Sequence, residues 1–137
     1  YVVLGTVTGT SWTDTDCAVG EGRYYGVRAI AAKEDYNSEV SEPVFGRGTC
    51  ATPKITGKVG ANNKPVISWG EVDGAVKYVI YRSTSSSKNY KVIGETVDVL
   101  SYEDLTAAKG KTYYYKVVAV GEGCESAQSA YVKVKSK

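Results

Sequence analysis

The residues best suited to chemistry here are three cysteines, scattered carboxylates, two tryptophans and twelve tyrosines, with no histidine. Without an imidazole the chain lacks the commonest general base and a frequent metal ligand. Ser-His-Asp, Cys-His and His-based zinc sites are therefore excluded within it. Cys17, Cys50 and Cys124 form no Cys-x-x-Cys pair, which removes the usual structural-zinc and dithiol spacings. Asp14, Asp16, Glu34 and Asp35 do not follow the ligand order of an EF-hand loop and read as solvated loop carboxylates. Gly20-Glu-Gly22 and Gly121-Glu-Gly123 read as turns, because no Lys-Ser/Thr and helix follow them as in a phosphate loop. No two carboxylates stand out as the acid and base of glycoside hydrolysis. The expectation is a chain with no catalytic constellation, no metal and no cofactor.

The bulk sequence narrows the setting. With 42% hydrophobic and 23% charged residues the chain belongs among globular rather than disordered sequences. Seventeen basic and fifteen acidic residues are interspersed, so no basic run marks a nucleic-acid surface. No apolar run is long enough to insert in a membrane. There is no methionine, and Tyr1 leads directly into Val2, Val3 and Leu4. The sequence thus reads as an internal piece of a longer protein, with any signal peptide or anchor elsewhere. Twelve tyrosines against one phenylalanine suit strands with a half-wet face.

A repeat sets the organisation. Tyr1-Val-Val-Leu-Gly5 is echoed by Tyr90-Lys-Val-Ile-Gly94, and Ser11-Trp-Thr-Asp14 by Ser101-Tyr-Glu-Asp104. Tyr25-Gly-Val-Arg-Ala29 is echoed by Tyr115-Lys-Val-Val-Ala119, and Ser41-Glu-Pro-Val44 by Ser129-Ala-Tyr-Val132. The offset stays near 90 residues, about the length of one small sandwich domain. Residues 1–49 then correspond to the C-terminal half of a repeat, and residues 50–137 to a complete one. Ala51-Thr-Pro53 punctuates the boundary.

The complete repeat reads as strands. Pro65–Trp69, Lys77–Arg82, Tyr90–Ile93, Val97–Tyr102, Thr112–Val120 and Ser129–Val134 are rich in β-branched and aromatic residues between turn signals. Asp104–Lys111 is short and holds Gly110, so it reads as a loop or a single turn. Short strands at this density imply an all-β antiparallel sandwich.

Trp69 after Ile67, then Tyr78 and Ile80, then Leu105, Gly110, Tyr113, Tyr115, Val117 and Ala119 resemble the fibronectin type III pattern of the immunoglobulin-like sandwich. Gly74-Ala-x-Lys-Tyr78, Tyr81-Arg-Ser83 and Gly110-Lys-Thr-Tyr-Tyr-Tyr115 resemble its bacterial version, found in tandem on secreted and surface proteins of Gram-positive anaerobes. The resemblance implies a core of Trp69, Tyr78, Ile80, Leu105, Tyr113, Tyr115 and Val117, with Tyr113 as a tyrosine corner. Arg23 stands at the matching place of the first repeat, which implies a missing corner or a register slipped by one. Trp12 aligns with Tyr102 and reads as packing, with sugar stacking the lesser reading.

On such a sandwich Val79, Tyr81, Tyr114 and Val118 point outward from neighbouring strands. They form a candidate binding patch, or a plain β-rich surface. Cys17 and Cys50 fall at one end of the first repeat, making them the first choice for a disulfide; Cys50 with Cys124 is the alternative. A half-sandwich alone exposes its inner face and strand edges. Its expected partner is the missing half-domain of the same parent protein, left associated after nicking, or a second copy. Host protein or glycan are further expected partners. The expected role is a non-catalytic, extracellular spacer or binding module of a secreted or cell-wall-associated bacterial protein, positioning an upstream catalytic or adhesive region. The alternatives are an accessory domain of a secreted glycoside hydrolase or peptidase, or a carbohydrate-binding module.

Overall fold

The computed structural model describes residues 1–137, which divide into two units, Tyr1–Gly48 and Thr49–Lys137. In unit 1, strands β1 (Gly22–Tyr25) and β2 (Val44–Arg47) pair antiparallel, with one 3-10 turn, Glu34–Tyr36, between them. The rest of the unit is irregular chain.

Unit 2 holds β3 (Ile55–Val59), β4 (Pro65–Trp69), β5 (Ala75–Ser83), β6 (Lys91–Thr96), β7 (Ser101–Glu103), β8 (Thr112–Gly121), β9 (Cys124–Glu125) and β10 (Val132–Lys135). One antiparallel sheet runs β3-β4-β7 and the other β10-β8-β5-β6, with the short β9 paired to β8. The alternation of β4 and β8 explains the two layers: Pro65, Ile67 and Trp69 are buried, as are Tyr113, Tyr115 and Val117. Tyr78 and Ile80 of β5 meet them, and Trp69 lies tilted against Tyr78 with ring centres 5.3 Å apart. Full burial of such side chains contributes on the order of 2 kcal/mol each. No helix is long and apolar enough to cross a membrane.

Several elements differ from the sequence expectation. Ile55–Val59, not read as a strand, pairs with β4 along its whole length. The strand expected at Val97–Tyr102 is confined to Ser101–Glu103, and the last strand starts at Val132. Before it, Ser126 and Ser129 stand in for strand pairing: their Oγ atoms accept the N–H groups of Ala119 and Val117 at 2.9 and 3.0 Å. Leu105 is not core; it is 64% exposed. The turn after β7 is wound around the Asp104 carboxylate, so Asp104 and Ala107 take the inward positions and Leu105 is turned out.

The repeat is visible atom by atom. Gly20 and Gly110 both adopt left-handed backbone, φ 78° and 77°, where a side chain is strained. Their N–H groups donate to Gly48 and Ser136 carbonyls at 2.9 and 3.0 Å. Ser41 Oγ accepts the Val27 N–H as Ser129 accepts that of Val117, and Ser38 serves Ala29 as Ser126 serves Ala119. The register of β1 on β2 matches that of β8 on β10, Tyr25 facing Val44 and Tyr115 facing Val132. Arg23 therefore occupies the Tyr113 position without a slip, and the first repeat has no tyrosine corner. In the second, Tyr113 Oη accepts the Ala108 N–H at 3.1 Å.

Candidate functional site

The candidate patch lies on the outer face of the β10-β8-β5-β6 sheet. Pairing places Tyr81 opposite Lys116 and Val79 opposite Val118. Val79, Tyr81 and Tyr114 are half-buried, but Val118 is only 4% exposed and is not part of an open patch. It is hemmed in by Val79 on one side and by the Ser126–Ser129 stretch held to β8 on the other.

Two aromatic residues that sequence reasoning left out complete the face. Tyr131 meets Tyr114 edge to face, ring centres 5.3 Å apart, and Lys116 Nζ lies 4.6 Å from the Tyr90 ring centre. Tyr90 Oη donates to the Ser86 carbonyl at 3.0 Å; burial first, then the neighbouring Tyr131 and Tyr114, raise its pKa above the ordinary tyrosine value. Both stand inside strands in the sequence reading, whereas in the structure β6 begins at Lys91 and β10 at Val132, so each precedes its strand. On this face Tyr114 and Tyr131 meet edge to face and Tyr90 carries the Lys116 ammonium, while Tyr81 is half-buried opposite Lys116. Tyr90 and Tyr114 are therefore each already engaged by a neighbour. In unit 1 Tyr24 of β1 meets Phe45 of β2 edge to face at 5.1 Å, and Arg47 lies 5.7 Å from the Phe45 ring. Trp12, the other sugar-stacking candidate, is 45% exposed. Its Nε1 lies beside Gly5, where an added Cβ would come within 3.2 Å.

The strongest electrostatic feature is internal. Asp104, fully buried, accepts from Tyr115 Oη at 2.8 Å and Arg82 Nη1 at 2.7 Å through Oδ2, and from Thr106 N and Oγ1 through Oδ1. Burial alone would raise its pKa, but the hydrogen bonds of Thr106, Arg82 and Tyr115 and the Arg82 charge hold it below the usual carboxylate range. Burial, then Asp104, push the Tyr115 phenol the other way. A carboxylate held ionised and saturated with donors is a strut, not a general acid. Asp14, Tyr25 and Arg23 build the same knot in unit 1: Asp14 Oδ2 accepts from Tyr25 Oη at 2.9 Å and Arg23 Nη1 at 2.8 Å. The signal in the sequence was the aspartate ending each Ser-x-x-Asp block.

The expected disulfides are absent, and all three cysteines are free. Cys17 Sγ faces the Glu21 and Ala18 carbonyls of its own turn, at 3.5 and 3.9 Å. Cys50 instead meets Cys124 with the sulfurs 3.0 Å apart, well beyond the roughly 2.05 Å of a disulfide. Gly121 makes this room: a Cβ there would lie 2.8 and 2.9 Å from the two sulfurs. Burial, then Cys124, push the Cys50 thiol up to about 11.

No family model matches the chain. It is 42% identical over 76 residues to an amylopullulanase of Thermoanaerobacter thermohydrosulfuricus, which covers 55% of this chain and 5% of that protein. The chain thus spans only a small part of the curated relatives it matches. A beta-1,2-glucanase from Parabacteroides distasonis superposes with a TM-score of 0.57 at 26% identity, covering 64% of this chain and 13% of that one. An Fn3-like protein from Clostridium thermocellum superposes with a TM-score of 0.58 at 31% identity, covering 63% of this chain and 92% of that one. Two antiparallel sheets packed face to face, and this match over nearly the whole of a bacterial homologue, show that the chain belongs to the fibronectin type III-like repeats of bacterial proteins.

Proposed function

We propose that the chain is a non-catalytic accessory segment of a secreted, extracellular glycan-degrading enzyme, and that its role is to space other parts of that enzyme. The identity to an amylopullulanase across a stretch that is only 5% of that protein carries this reading. It favours the accessory-domain alternative over an adhesive protein. The geometry supports spacing over sugar binding, because Tyr114 meets Tyr131, Tyr90 carries Lys116, and the buried Asp104 is tied into four hydrogen bonds. One observation favours weak glycan contact as a second reading: Tyr131 remains 48% exposed at the edge of the face.

Module exchange tests the proposal. The matching stretch of the Thermoanaerobacter amylopullulanase is replaced by residues 50–137, and hydrolysis of a short soluble substrate is measured. The expected kcat stays within about twofold of the parent, since the segment does not touch reacting atoms. A folded hybrid that loses about tenfold or more would refute a spacing role.

A further inference from the structure

Unit 2 brings two thiols together across 74 positions of sequence. Cys50 stands just before β3, an edge strand of the three-stranded sheet, and is 3% exposed. Cys124 opens β9, which belongs to the other sheet, and is half-buried. The turn that delivers Cys124 depends on two glycines. Gly123 takes left-handed backbone, φ 71°, and Gly121 faces Cys124 in the register of β8 on β9. A side chain on Gly121 would wedge against both sulfurs.

From 3.0 Å, the two sulfurs need to approach by only about 1 Å to reach bonding distance. The two thiols are not equivalent. Cys124 is the one that solvent reaches, whereas Cys50 is covered and burial keeps it protonated. Cys17 does not compete, since its sulfur is turned to carbonyls of its own turn.

We propose that Cys50 and Cys124 are a dithiol that closes by exchange with a low-molecular-weight disulfide, Cys124 being the entry thiol and Cys50 the resolving thiol. Cys124 loses its proton to solvent, and its thiolate attacks one sulfur of the external disulfide. The external S–S bond breaks, a mixed disulfide forms on Cys124, and one thiolate leaves and takes up a proton. The Cys50 thiol then gives up its proton and its sulfur attacks Cys124 Sγ. The Cys50–Cys124 bond forms as the second external thiolate leaves and is protonated. Two protein thiols are oxidised and one external disulfide is reduced to two thiols. Closure ties the segment ahead of β3 to β9, and so staples one sheet of unit 2 to the other. The step rests on the sulfur geometry alone and not on the accessory role proposed above.

Oxidation of the chain by glutathione disulfide tests this, with thiols trapped by alkylation and bonds located by peptide mass. The expected product has lost two hydrogens, links the Cys50 and Cys124 peptides, and leaves Cys17 alkylated. Cys50→Ser is expected to stop at a glutathione adduct on Cys124. Cys124→Ser is expected to form its adduct on Cys50 about tenfold or more slowly. Circular dichroism under reducing conditions confirms that both variants are folded. The oxidised chain is expected to unfold about 5 °C or more above the reduced chain, because the bond closes a long loop. A folded wild-type chain that forms no Cys50–Cys124 bond, or links either residue to Cys17, overturns the dithiol. Equal adduct rates in the two serine variants overturn the assigned order. An unchanged unfolding temperature overturns the staple.

Discussion

At the scale of single residues, the aspartate knot is the feature with the largest expected consequences. Asp104 is buried and its partners Tyr115, Arg82 and Thr106 come from three separate stretches. Asp104→Ala strands a guanidinium and a buried phenol, and is expected to cost about 3 kcal/mol or more in urea denaturation. Its ionisation also makes stability pH-dependent. The folded pKa lies below the unfolded value, so the contribution is full above about pH 5 and is lost as pH falls through the folded pKa. Asp104→Asn is expected to flatten the acid limb of the stability profile between about pH 5 and 2, and an unchanged limb would place the acid sensitivity elsewhere. Cys50 gives a second test. With its thiol raised to about 11, its thiolate fraction at pH 8 is roughly a hundredfold below that of an ordinary cysteine. Alkylation timed by peptide mass is expected to label Cys50 far more slowly than a cysteine in an unfolded control; equal rates would mean that the site is open.

At the scale of elements, the matching positions Val27, just beyond β1, and Val117, inside β8, differ in cover. Val117→Ala is expected to cost on the order of 2 kcal/mol in unit 2, because a fully packed side chain leaves a cavity. Val27→Ala at the matching exposed position is expected to stay within about 0.5 kcal/mol by the same thermal or urea measurement. Equal costs would contradict the difference in cover. The alternation of β8 was legible in the sequence because period two writes inside and outside directly onto Tyr113, Tyr115 and Val117. Val118 was misread because that same alternation ignores neighbours: it is 4% exposed between Val79 on β5 and a non-strand stretch bonded to the flanking Val117 and Ala119. Leu105 was misread because the family pattern was carried onto it, while the turn is organised by hydrogen bonds to Asp104. Two of those bonds come from Thr106 within the turn, and the other two from Arg82 and Tyr115 on separate strands, which no local hydropathy pattern displays. The cysteine pairing failed similarly, since the choice depended on Gly121 leaving room beside Cys50.

At the scale of the whole molecule, the repeat is the organising fact. It was legible from four blocks at an offset near 90 residues, and the structure repeats it down to the left-handed glycines and the serine bonds. Function was less legible, because this fold hosts many roles and the chain has no histidine and no isolated acid–base pair. The patch read from the sequence survives only in part. The structure leaves Val79, Tyr81 and Tyr114 half-buried, buries Val118, and adds Tyr131 against Tyr114 and Lys116 over Tyr90. The most direct test of a spacing role is affinity electrophoresis of the chain through gels containing pullulan or amylose, beside a Tyr114→Ala, Tyr131→Ala double variant. The expected result is equal mobility of both proteins with and without polysaccharide. Retardation of the wild-type chain that disappears in the double variant would contradict the account and make the outer face a glycan-binding site.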